Sequence, residues 1–218
     1  MRLVALGRYL AADALRAGRW VAPVVLFLAV TVTGTTVGES ALGGYGLTAT
    51  ALLPVSMWLT IAVLNSEDPA QTAITTVAVG NALVVRLAKL VLAYLGGQVL
   101  TAVAVLWPLL IGQPASAADV LAGVLAHLLS ALAGVAFGSL AGRPLLRAPT
   151  WAVMIGIAVF LLEILVPGFP PVRPIAVSFA AGPDSSEVFG MLAVVALQTV
   201  TGASILIGLG HWLAQRQA

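Results

Sequence analysis

The sequence has no cysteine, a single lysine, two histidines and only 8% charged residues. Without cysteine there is no disulfide and no thiolate metal site, and His127 and His211 are too few for a histidine metal cage. Soluble domains carry roughly a quarter charged residues, so this chain cannot cover a water-facing surface. The 218 residues are 61% hydrophobic instead, with a mean hydropathy of +1.08. The composition is that of an all-α, polytopic integral membrane protein with no room for a separate soluble domain. The net charge of +2 does not point to nucleic acid, because in a membrane chain the placement of basic residues matters more than their sum. Arginine outnumbers lysine nine to one, which with the abundant Ala, Val and Gly suggests a GC-rich bacterial genome.

Six apolar runs of spanning length occur, at about 21–37, 46–64, 87–111, 118–141, 150–166 and 188–213. Arg2, Arg8, Arg16 and Arg19 precede the first. Arg86 and Lys89 open the third, Arg143 and Arg147 separate the fourth from the fifth, and Arg216 follows the sixth. Only Arg173 falls on the opposite side, so nine of ten basic residues share one face. The positive-inside rule assigns that face to the cytoplasm, with both termini. Glu39, Ser116, Asp119, Asp184 and Glu187 then face outside.

The leader "MRLVALGRYLAADALRAGRW" is patterned. At 100° per residue Arg2, Arg8, Asp13, Arg16 and Arg19 fall within an arc of roughly 140°. Leu3, Leu6, Leu10, Ala14 and Ala17 take the other side. Such a basic amphipathic helix lies in the membrane interface, its arginines toward anionic headgroups. The apolar run after it is longer than a signal-peptide core, so it is expected to stay as a helix.

Between the second and third runs stands "LNSEDPAQTAITTVAVGN", residues 64–81. Asp68 suits a helix N-cap, Pro69 the first helical position, and Gln71 the place of a capping-box partner. Ala70, Ala73, Ile74 and Val77 form an apolar stripe with Gln71, Thr72, Thr75 and Thr76 opposite. Gly80-Asn81 supplies a stop. About three turns of helix are expected, too short and polar to span. Bundle connections usually take about 2–8 residues, so this longer one suggests a docking element.

The order of a basic amphipathic leader, two spans, an acid opening a cytoplasmic helix and a basic residue entering the third span resembles the permease subunit of type-2 ABC exporters. The matching stretches are "RYLAADALRAGRWVAP" for the connecting helix and "EDPAQTAITTVAVGNALVVRLAKLVLAYL" for the coupling helix and the start of span three. The family's acid, nearby threonine and downstream lysine fall on Glu67, Thr72 and Lys89. The resemblance covers the whole six-span layout through degenerate motifs. It implies that Glu67, Asp68, Gln71, Thr72 and Thr75 serve ATPase coupling, the two acids reaching basic groups on the partner from water. It also implies a cytoplasmic basic or gating face of Arg86, Lys89, Arg143 and Arg147. The family often folds its outer region, here "VPGFPPVRPIAVSFAAGPDSSE", into short re-entrant helices, and this stretch departs in its prolines. No P-loop is present, since the only lysine is followed by Leu90. ATP and Mg are therefore expected on a separate subunit, with no cofactor and no catalytic residue on this chain.

Other residues bear on function. Ala126, Ser130, Gly134, Gly138 and Gly142 place a small residue every fourth position of the fourth run. That ladder lets another helix approach closely, in the same chain or a second copy. Glu163 is the only acid well within a run, which makes it a candidate for the outer part of the transport route, for a pair with Arg173, or for a place at the headgroup level. His127 is a relay or a packing histidine. An intramembrane serine protease would need Ser139 or Ser204 beside His127 or His211; within one helix the spacing is too long for a hydrogen bond. An ion-coupled carrier is the other alternative.

The expected organisation is a connecting helix at 1–20, spans one and two in 21–64, a coupling-helix loop at 65–86, spans three to six in 87–213 with an outer loop at 167–187, and a tail at 214–218. Expected partners are ABC ATPase subunits, a second permease copy or paralogue, and the bilayer of a bacterial plasma membrane, with no nucleic acid.

Overall fold

A computed structural model describes residues 2–142, 149–166, 171–181 and 185–216. Every regular element among them is an α-helix: α1 (Arg2–Ala17), α2 (Val21–Gly34), α3 (Ala41–Leu64), α4 (Pro69–Val79), α5 (Ala82–Ile111), α6 (Ala117–Ala141), α7 (Pro149–Leu165), α8 (Val172–Ala181) and α9 (Ser185–Gln215). Four of them, α3, α5, α6 and α9, are long and apolar enough to cross a membrane. α1 and α2 together make a fifth candidate, bent by 77°. Gly18 allows that corner, with a φ of 66° that side chains rarely adopt.

The six runs do not all become full-length helices. α2 has 14 residues and α7 has 17, about 21 and 26 Å at 1.5 Å per residue, against a hydrocarbon core of about 30 Å. α2 stops at Gly34 because the next residues leave the helix to bond locally. The Glu39 carboxylate accepts from the Thr36 amide and hydroxyl at 3.1 and 3.2 Å. α5 in contrast starts five residues ahead of its apolar run, because Asn81 caps the Leu83 and Val84 amides. The connection across 65–86 shortens accordingly.

α3 is the hub, packed against α2, α5, α6, α7 and α8. Its closest partner is α6, and the small-residue ladder makes that contact. A Cβ added at Gly138 would sit 2.6 Å from Thr60 Cβ, and one at Gly142 would sit 2.5 Å from Leu64 Cδ1. At Gly134 it would strike the Leu53 carbonyl. Ala126 and Ser130 are fully buried in the same seam. The ladder is thus filled by α3 of the same chain. Lipid tails offer little hydrophobic driving force between helices, so this close backbone approach and its dispersion contacts hold the pair together.

Two hydroxyls of α3 bond back one turn, Thr50 to the Gly46 carbonyl and Thr60 to that of Ser56, whereas the buried Ser56 hydroxyl has no partner. Outward faces are aliphatic: Leu83, Leu87, Val91, Leu95 and Val99 recur every fourth residue along α5 and are all exposed. Such an exterior belongs in a bilayer.

The segment between α7 and α9 contains a short helix, α8, despite its prolines. Pro174 lies in the first turn, where the missing amide costs no intrahelical bond. Ile175 and Phe179 are buried, and Gly46 of α3 admits the Phe179 side chain closely.

Candidate functional site

α4 is closed at both ends. Asp68 accepts from the Gln71 amide at 2.7 Å, Pro69 occupies the first position, and Gly80 leaves the helix at φ 79°. Gln71 does not complete a capping box. Its side-chain amide instead donates to the Tyr9 hydroxyl of α1 at 2.6 Å.

Beneath α4 lies the site. Glu67, in the turn between α3 and α4, is only 1% exposed. Its Oε2 is 2.6 Å from Lys89 Nζ, itself 4% exposed on α5. Its Oε1 accepts from Thr75 at 2.7 Å and from Tyr9 at 2.9 Å, and Thr72 approaches Oε2 at 3.4 Å. Three segments, α1, α4 and α5, are therefore tied to one carboxylate. Burial acts to raise the Glu67 pKa. The hydrogen bonds from Lys89, Thr75 and Tyr9, together with the lysine charge, outweigh that and hold it below the ordinary carboxylate value. The pair resists loss of either member, since breaking a buried ion pair strands a charge at a cost of about 3–5 kcal/mol.

This geometry corrects the expectation that both acids lie in water. Asp68 is exposed, but Glu67 points inward and reaches no outside group. The reason is that α4 packs by its polar side. Thr75 is buried, whereas Ile74 and Val77 are 70% and 82% exposed. The apolar stripe faces away from the chain.

The two described residues of the expected basic face, Lys89 and Arg86, are not open either. Lys89 is consumed by Glu67. Arg86 is 8% exposed and donates from Nη2 to the Ser139 carbonyl of α6 at 2.7 Å. Arg143 and Arg147 lie outside the described residues.

Glu163 and His127 serve different neighbourhoods. Glu163 is buried on α7, and its Oε2 accepts the Val172 amide at 3.2 Å, capping α8. Arg173 turns to the Leu165 carbonyl at 2.8 Å. His127 is fully buried on α6, with Nδ1 2.6 Å from the Gly123 carbonyl and Nε2 2.9 Å from the Thr48 hydroxyl. A carbonyl only accepts, so Nδ1 carries the proton and Thr48 donates to Nε2; both ring nitrogens are satisfied. The serines a protease would need bond elsewhere, Ser139 to the Ala136 carbonyl and Ser204 to that of Val200. His211 faces Gln215.

Sequence reasoning missed Tyr9. On the helical wheel of α1 it falls inside the arginine arc, between Arg16 and Arg2, so its position gave no signal of an inward partner. The chain matches no protein-family model, no curated protein and no solved structure, so its own geometry carries the functional reading.

Proposed function

We propose that the chain is the membrane-embedded permease subunit of a type-2 ABC exporter in a bacterial plasma membrane. In this reading α2, α3, α5, α6, α7 and α9 are the six spans, α1 is the connecting helix at the cytoplasmic interface, and α4 is the coupling helix. Both termini are cytoplasmic, in keeping with the one-sided basic residues. ATP and Mg bind a separate subunit, two copies of which serve a pair of permeases formed with a second copy or a paralogue.

The observation that carries the reading is the inverted seating of α4. A short helix seated only against its own chain would turn its apolar stripe toward the protein. Here the polar side is locked to α1 and α5 through Glu67, while Ile74 and Val77 stand free. That arrangement suits a lever. The exposed stripe and Asp68 meet the ATPase, and the Glu67 cluster passes the push to α5, whose 30 residues reach the other end of the bundle. Glu67 is then a positioning residue and not itself the contact.

The test is purification from native membranes with a cysteine at position 74, followed by crosslinking and an ATP-hydrolysis assay. The expected result is a crosslinked P-loop subunit and hydrolysis that falls at least tenfold in Ile74→Glu/Val77→Glu, with insertion unchanged. A well-folded permease that carries no ATPase and still transports would point to an ion-coupled carrier.

A further inference from the structure

Arg86 is a buried cation that forms no ion pair with any acid among the described residues. It is the fifth residue of α5, about 6 Å from the helix start, and it sits where α5 meets the last turns of α6 and α9. One Nη2 hydrogen bond goes to Ser139, whose carbonyl belongs to the last turn of α6. A Cβ at Gly210 of α9 would approach the same nitrogen at 3.0 Å. The α6 carboxyl end offers about half a negative charge, which leaves much of the guanidinium unbalanced. Its Nε is buried and has no hydrogen-bond partner.

None of the described acids at this end of the bundle pairs with it. Glu67 is taken by Lys89, Asp68 caps α4, and Asp13 has a buried oxygen that is itself without a partner. A buried donor with nothing to donate to costs about 1–3 kcal/mol, more when charged. A guanidinium presents its donors as a planar fork, which matches the paired oxygens of a phosphate.

We propose that Arg86 binds the phosphate of an anionic phospholipid where α5, α6 and α9 meet. The depth favours a lipid as the source, since a residue about one turn inside the end of a spanning helix sits at the level of headgroup phosphates. The outward aliphatic faces of α5 and α9 beside it, including Leu87 and Leu209, accept acyl chains. This site depends on the chain's membrane placement and not on the exporter reading.

The experiment is native mass spectrometry of the purified protein exposed to equal amounts of phosphatidylglycerol and phosphatidylcholine. Wild type should retain the glycerol lipid about tenfold over the choline lipid, whose phosphate already has its own ammonium beside it. Arg86→Gln should abolish the preference, and Arg86→Lys, which keeps charge without the fork, should give an intermediate value. Arg216→Gln should keep it, because Arg216 at the same end is exposed and lies 3.7 Å over the Trp212 ring. Equal retention of the two lipids by wild type overturns the proposal whether or not Arg86→Gln folds. Unchanged preference in a folded Arg86→Gln does so too. If inorganic phosphate raises the thermal midpoint as much as the glycerol lipid does, and only when Arg86 is present, the site takes a free anion and the lipid assignment falls.

Discussion

Tyr9 and Glu67, 58 positions apart in sequence, share a hydrogen bond of 2.9 Å, and the same hydroxyl accepts from Gln71 at 2.6 Å. One phenol thereby joins α1 to both the turn before α4 and α4 itself. Removing it should loosen α4 without stranding a charge. Tyr9→Phe is expected to cost about 1 kcal/mol. Glu67→Ala or Lys89→Ala should cost about 3–5 kcal/mol each, and Glu67→Gln/Lys89→Met should recover a large part of that. A double-mutant cycle on unfolding in detergent measures the coupling, and additive losses would show that the pair does not hold α4.

The pH response follows from the sign of the Glu67 shift. Its folded pKa is lowered, so its contribution is complete above the unfolded value of about 4.3 and is lost as pH falls through the folded value. The thermal midpoint should be flat from pH 8 to about 5 with respect to this group and should fall in stronger acid. In Lys89→Met burial acts on the carboxylate without the lysine, so its pKa rises. The Thr75 and Tyr9 hydrogen bonds still lower it, so the loss of stability in acid should be shallower than in wild type. A scan of both proteins from pH 8 to about 3 checks this.

The glycines separate into two classes. Gly123→Ala and Gly138→Ala drive a methyl into Tyr45 and Thr60 respectively, and overpacking of this kind costs about 1–3 kcal/mol. Gly190, Gly202 and Gly208 of α9 have nothing within 4 Å. Alanine there should be neutral or should stabilise by up to about 1 kcal/mol. Thermal midpoints of the five variants test the contrast, and equal behaviour would mean that α3 and α6 do not pack through the ladder.

Cysteine labelling can test the topology proposed from the basic residues against an empty background, because the native chain has no cysteine. Gln113→Cys should react with an impermeant reagent in intact cells, and Ala73→Cys only after permeabilisation; both positions are exposed. The reverse pattern would invert the orientation.

The local signals of the sequence translated directly into structure where chemistry is local. Asp68, Pro69 and Gly80 bound α4 as their backbone preferences require, and Ser116 with Asp119 forms a full capping box on α6. What periodicity could not supply was direction. In water an apolar stripe marks the buried side. At a membrane surface with a buried carboxylate to satisfy, the polar side of α4 turns in, so Glu67 reads from sequence as solvated and is not. Similarly the ladder on α6 signals close approach without naming the helix that approaches, because glycine offers the space and the partner decides the fit. Helix lengths were also illegible where apolar residues continue past a break, as after Gly34, since hydropathy does not see Glu39 drawing the chain out of the helix.

The seam between α3 and α6 has a consequence for biosynthesis. α3 emerges from the ribosome and enters the bilayer while α6, which covers Thr48, Ser56 and Thr60, has yet to be made. For that interval these hydroxyls face lipid. Thr48 and Thr60 are prepared for it, since each is satisfied by a carbonyl of its own helix at 2.9 and 2.7 Å. Of the three only Ser56 lacks such a partner, and the arrival of the glycine face of α6 takes it out of lipid and closes the bundle around α3.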